Sequence, residues 1–189
     1  KMEHILEKFA DDGRGMAISD SISVKKLLPA QAGMSGTYDP HIWFDTALWA
    51  ETVSSVEKAL TELDPEHGEI YRVNSENYRQ ELLALDVWVR EQILMIPEEQ
   101  RVMITAHDAF NYFGRAYGIE VRGVQGISTA SDYGLKDLEG LINLIVERKI
   151  KAVFVETSVS RKSIEALEEG VRARGHQVVI GGTLFSDAM

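Results

Sequence analysis

From residue 101 onward the chain switches hydrophobic period repeatedly. RVMITA, IEVRGVQ, KAVFVET and QVVIGG read as short strands; DAFNYFGRAYG, LKDLEGLINLIVERK and RKSIEALEEGVRARG read as helices between them, stopped at Gly118 and Gly175 in the first and third cases. Strands alternating with helices of this length specify an α/β fold with a parallel sheet. Ligands of such sheets bind beyond the carboxyl ends of the strands. Three residues fall there: His107 after VMITA, Glu156 at the end of AVFVE, and Asp187 shortly after QVVIGG. They are up to 80 positions apart, yet one crevice can hold them all.

A second feature sets the organisation. Residues 66–96 contain no proline and no glycine after Gly68. Tyr71, Tyr78, Leu82, Leu85, Val89, Ile93 and Ile96 recur in steps of three, four and seven, which trace one helical stripe. At 1.5 Å per residue this helix is roughly 45 Å long, a spine between lobes rather than a packing element within one. Before it, Asp45 to about Leu63 reads as a helix ended by Asp64-Pro65. MEHILEKFADDGRG reads as a short amphipathic helix, Met16–Ser19 as a strand, and LPAQAGMSGTYDP as irregular. The expected organisation is a partial N-terminal α/β lobe over 1–64, a linking helix over 65–97 and a C-terminal α/β lobe over 98–189.

The chain has no cysteine, which excludes disulfides, thiolate catalysis and thiolate metal sites. A metal would have to be held by His, Asp or Glu. The formal charge of −10 argues against nucleic acid, whose phosphates need a basic face. It is compatible with cation binding, although solubility alone accounts for it. No apolar run of about 18 residues occurs, and the sequence opens at Lys1 in polar, helix-like residues, so no targeting segment is read there.

His41 sits in GTYDPHIWFD. Asp39 can cap a helix whose first residue is Pro40, placing His41 in the first turn. Trp43 and Phe44 can shield it from water, and a neutral, desolvated imidazole suits a borderline transition metal. Either His41 or His107, taken alone, also reads as a hydrogen-bonded structural residue, because no tight ligand spacing such as HExxH accompanies it. His4, His67 and His176 read as solvated. Glu156 reads as a helix cap or as a group that hydrogen-bonds a metal ligand. The aromatic residues around both histidines read as core.

DPHIWFD at 39–45, TAHDAFNYFGRAYG at 105–118, GVQGISTASD at 123–132, AVFVETSVS at 152–160 and IGGTLFSDAM at 180–189 resemble, in order and spacing, the TroA/MntA-like (cluster A-I) solute-binding proteins of ABC importers for zinc and manganese. The resemblance implies two α/β lobes joined by one long rigid helix, with the metal in the interlobe cleft. By motif it makes His41, His107 and Asp187 the metal ligands and Zn²⁺ or Mn²⁺ the cargo. Relatives with the TAHDAF and GISTASD wording include manganese transporters. It also implies a periplasmic or lipid-anchored protein on the outer face of the bacterial cytoplasmic membrane. That protein would be a monomer, handing its ion to a membrane permease without catalysing a reaction. The family uses a further histidine ahead of the first helix and continues past the last strand with a Gly-rich segment and a helix. The chain is therefore expected to be incomplete at both ends, and His4 lies past the position of that histidine. A metal-dependent hydrolase, with a His/His/Asp site and Glu156 as general base, is the alternative function; an adhesin is a third.

Overall fold

The computed structural model describes residue 9 and residues 15–30, 37–125 and 135–187. The expected first helix and His4 lie almost wholly or entirely outside these, as does all of GISTASD. Contacts divide the chain into two units, Lys1–Leu27 with Thr46–Asp86 and Leu28–Asp45 with Val87–Met189.

In the first unit, helix α1 spans Thr46–Leu63 and helix α2 begins at Gly68, running on to Leu94 beyond the unit's last residue. The Asp64-Pro65 break holds as expected, with a 3-10 turn over Pro65–His67 between the helices. The Asp64 carboxylate accepts the Tyr71 hydroxyl at 2.8 Å, and Thr46 donates to Asp86 at 3.4 Å. Tied at both ends, α1 and the α2 segment form an antiparallel hairpin. At 27 residues α2 is about 40 Å long. Its stripe is only partly covered: Leu82 is buried, whereas Tyr78 and Leu85 are exposed. Met16–Ser19 is not a strand. Ile18–Ser21 is a 3-10 turn in which Ser21 Oγ donates to the Ile18 carbonyl at 2.8 Å. Serine and aspartate side chains favour such local backbone bonds over a ladder.

The second unit carries the parallel strands. They are β1 Val102–His107, β2 Glu120–Gln125, β3 Ala152–Glu156 and β4 Val179–Leu184. The intervening helices are α3 Asn111–Tyr117, α4 Leu135–Arg148 and α5 Lys162–Ala173. β1 pairs with β2 and β3 with β4, both in parallel, and β1 lies beside β3. The chain therefore moves outward from β1 to β2, then crosses back to β3 and β4. Strand order reverses between β1 and β3, the place where open α/β sheets open a ligand crevice.

Alternation along the strands decides which side chains face that crevice. Val102, Ile104 and Ala106 of β1 and Val153 and Val155 of β3 join one core with Leu141, Ile142 and Ile145 of α4 and Ile164, Leu167 and Val171 of α5. Met103, Thr105 and His107, like Phe154 and Glu156, are thus turned to the other side. α3 ends as the sequence predicts, with Gly118 at φ 68°. Gly114 gives α3 close access to the sheet: a Cβ there would lie 2.8 Å from both the Ile119 carbonyl and Val121.

Candidate metal centre

His107 is the last residue of β1 and Glu156 the last of β3, on neighbouring strands and the same face. The His107 backbone N–H donates to Glu156 Oε1 at 2.8 Å, and its Nδ1 lies 2.5 Å from Oε2. Both side chains are fully buried. Glu156 is therefore not a helix cap; both of its oxygens serve His107.

His41 does not lie in a helical turn but immediately precedes one, the 3-10 turn Ile42–Phe44. Asp39 therefore caps no helix and instead holds His41 itself. Its Oδ1 accepts the His41 backbone N–H at 3.0 Å and faces His41 Nδ1 at 2.7 Å. Asp39 is itself held by α3. Asn111 donates to Oδ2 at 3.3 Å, and the Tyr112 hydroxyl donates to the Asp39 carbonyl at 2.9 Å. The same hydroxyl accepts the Leu28 N–H at 2.9 Å, which fastens the 28–45 segment to α3. Trp43 packs edge-on against the His41 ring at 5.3 Å between centroids.

Each imidazole thus presents Nδ1 to a carboxylate. This places the N–H on Nδ1 and directs the lone pair of Nε2 inward. Asp187, three residues past β4, closes the set. Its Oδ1 is 3.4 Å from His41 Nε2, and its Oδ2 is 3.3 Å from His107 Nε2. One ligating atom from each of the three residues lies within 4.8 Å of the others. His107 Nε2 is buried without a hydrogen-bond partner, as are Nδ1 and Glu156 Oε2, which face each other as an ion pair; a bound cation would satisfy Nε2. The two separations, one to each oxygen of Asp187, bring both imidazole nitrogens against a single carboxylate. Two neutral nitrogens and one carboxylate oxygen form a donor set suited to a divalent transition metal.

The surroundings favour positive charge. Burial works to lower the pKa of His107, but the hydrogen bond and charge of Glu156, aided by Asp187 and Asp108, outweigh it and hold the imidazole above its ordinary value. Burial works to raise Glu156, and its hydrogen bonds from His107 reverse this, leaving its pKa lowered. Asp108, beside His107, is raised mainly by burial. It accepts the Gly123 N–H at 2.6 Å, an approach that a Cβ at Gly123, only 2.5 Å from the Asp108 nitrogen, would block. His67 pairs with Asp64 on the surface of the first unit, and His176 faces the Ile150 carbonyl, so neither joins the cluster.

The family described as "Zinc-uptake complex component A periplasmic" matches the chain over residues 1–189. The chain belongs to this family. It is 48% identical to "Manganese-binding lipoprotein MntA" of Bacillus subtilis and 43% identical to "Zinc-binding protein TroA" of Treponema pallidum, in both cases over its entire length. The structure of the periplasmic zinc-binding protein TroA of Treponema pallidum superimposes with a TM-score of 0.88 at 42% identity, over 99% of this chain and 68% of that one. The chain spans 61% and 60% of the length of the two curated relatives. Membership of the zinc-uptake family agrees with the α/β fold and parallel strands expected from the sequence.

Proposed function

We propose that this chain is the metal-capturing part of an extracytoplasmic solute-binding protein that delivers zinc or manganese to an ABC importer. His41, His107 and Asp187 are the ligands, and the ion is cargo: the site binds and releases it without turnover. The observation that carries this reading is the convergence of two inward-facing Nε2 atoms on both oxygens of one carboxylate at 3.3–3.4 Å. The names of the relatives, a manganese-binding lipoprotein and a periplasmic zinc-binding protein, support the cargo class and the compartment. Among the described residues no helix is long and apolar enough to cross a membrane; the permease is the partner that does. The metal-binding unit acts as a monomer and has no dealings with nucleic acid.

Nitrogen-rich coordination suits zinc, and the hard carboxylate admits manganese. In solution zinc should bind more tightly whichever ion is the physiological cargo, because affinity follows the Irving–Williams order. Calorimetric titration of the metal-free chain with Zn²⁺ and Mn²⁺, repeated with Asp187→Ala, tests the proposal. Tight 1:1 binding that weakens at least about tenfold in the variant supports it. Binding no tighter than about 1 mM for either ion, or binding indifferent to Asp187, would reject it.

A further inference from the structure

Two of the three clustered residues are held firmly. His107 ends a central strand and His41 is braced by Asp39, both at full or nearly full burial. Asp187 is different. Its side chain is 38% exposed, and it follows β4, an edge strand whose residues are mostly exposed or half-buried. β4 also carries a register shift opposite Val153/Phe154, with Gly181 as the extra residue, and a bulge turns the strand beyond it. Backbone pairing near the end of the strand comes from the Thr157 N–H to the Leu184 carbonyl at 3.0 Å. The next residue, Phe185, is largely exposed.

The anchor is the residue beside Asp187. Ser186 is half-buried, and its hydroxyl shares a hydrogen bond of 2.6 Å with the Ser158 hydroxyl, just past β3. The segment that presents Asp187 is therefore tied, through one hydroxyl, to the residues that follow β3.

We infer that Ser186 is a positioning residue for the carboxylate ligand: its hydroxyl, joined to Ser158 just past β3, holds the segment that presents Asp187. This rests on the metal site proposed above. It assigns the placement of the hard oxygen donor to Ser186, whereas the two nitrogens are placed without it. Loss of the hydroxyl should therefore weaken Mn²⁺ binding more than Zn²⁺ binding, since zinc retains its preferred imidazole pair.

The test is a set of titrations with Zn²⁺ and with Mn²⁺ on the parent, Ser186→Ala, Ser186→Thr, Asp187→Ala and the Ser186→Ala/Asp187→Ala double variant. Circular dichroism and the melting temperature of each metal-free form serve as folding controls. Ser186→Ala should lose about tenfold or more in Mn²⁺ affinity, within the range seen when a supporting hydrogen bond is removed, and less for Zn²⁺. Ser186→Thr, which keeps the hydroxyl, should recover most of that loss. In the double variant the serine change should add nothing to the loss from Asp187→Ala, because it acts through that residue. Parent-like Mn²⁺ affinity in Ser186→Ala, an equal loss for both metals, no recovery with threonine, or an additive double variant would each overturn the inference. Failure of the metal site itself has a separate signature: Asp187→Ala would then bind like the parent.

Discussion

Nδ1 of His107 lies 2.5 Å from Oε2 of Glu156, while the His107 backbone N–H donates to Oε1 of the same carboxylate at 2.8 Å. A carboxylate can accept at both positions, and so it fixes the imidazole with its proton on Nδ1 and Nε2 free to coordinate. Glu156→Gln breaks that logic almost isosterically. Its carbonyl oxygen would keep the backbone N–H, and its amide would then point a donor at Nδ1. The proton is forced onto Nε2, the coordinating atom. Zn²⁺ affinity should fall by about tenfold to a hundredfold with the fold intact. Nitrogen chemical shifts of His107 in the metal-free form should report the tautomer change.

Removing the two histidines should have unequal effects on stability. Both His41→Ala and His107→Ala should lose at least about tenfold in metal affinity. His41→Ala leaves Asp39 with the Asn111 amide and a backbone N–H. His107→Ala leaves Glu156, as buried as Asp39, with the backbone N–H of residue 107 alone. Breaking a buried pair by removing one partner costs about 3–5 kcal/mol. Urea unfolding of the metal-free variants should therefore show a far lower midpoint for His107→Ala than for His41→Ala. Equal midpoints would mean that Glu156 is not anchored by His107.

The metal-free and metal-loaded forms should respond to pH in opposite directions. The folded pKa of His107 is raised, so its protonated pair with Glu156 adds stability below the ordinary histidine value of about 6.5. That contribution is lost as pH rises through the raised value. The folded pKa of Glu156 is lowered, so its contribution is present above the ordinary value near 4.3 and lost as pH falls through the folded one. The metal-free chain should then gain most from this pair between about pH 4.3 and 6.5. Metal binding must displace the proton, so affinity should already decline above pH 6.5 as pH is lowered. Melting curves from pH 5 to 8, with and without saturating Zn²⁺, check both halves. A metal-induced rise in melting temperature that is flat with pH would remove His107 from coordination.

The period switches after residue 101 were enough to place His107 and Glu156 at strand ends, because alternation and strand termination are local properties. They also sufficed for the helix breaks at Asp64-Pro65 and Gly118. What local pattern cannot carry is partnership across the chain. Nothing around Asp39 says that its carboxylate will face the ring two residues on rather than cap a regular helix. Nor does the sequence mark Tyr112, which reads as one aromatic among several, as the hydroxyl that binds both Leu28 and Asp39. Ser186 and Ser158 are ordinary surface residues until β3 and β4 pair. The bulge at Gly181 had one weak signal, the Gly181-Gly182 pair inside a strand. The strand expected at Met16–Ser19 shows the converse: a local side-chain bond took the place of a ladder.

Tyr112 offers the sharpest test of how the His41 segment is held. Its side chain is fully buried, and its hydroxyl both accepts the Leu28 N–H and donates to the Asp39 carbonyl at 2.9 Å. Tyr112→Phe keeps the ring and its packing but leaves one backbone donor and one backbone acceptor unpaired. Each unsatisfied buried group costs about 1–3 kcal/mol; with Leu28 only partly buried, a total loss of about 2 kcal/mol is expected in urea unfolding. The effect on metal should be smaller than that of removing a ligand, because Asp39 retains Asn111 and its own contact with His41. A few-fold fall in Zn²⁺ affinity is expected, with the pH dependence of binding unchanged, since the proton competing with the metal on His107 is untouched. A variant with parent-like stability would show that the two hydrogen bonds do not anchor residues 28–45, and a loss of affinity as large as that of His41→Ala would show that Asp39 depends on Tyr112 alone.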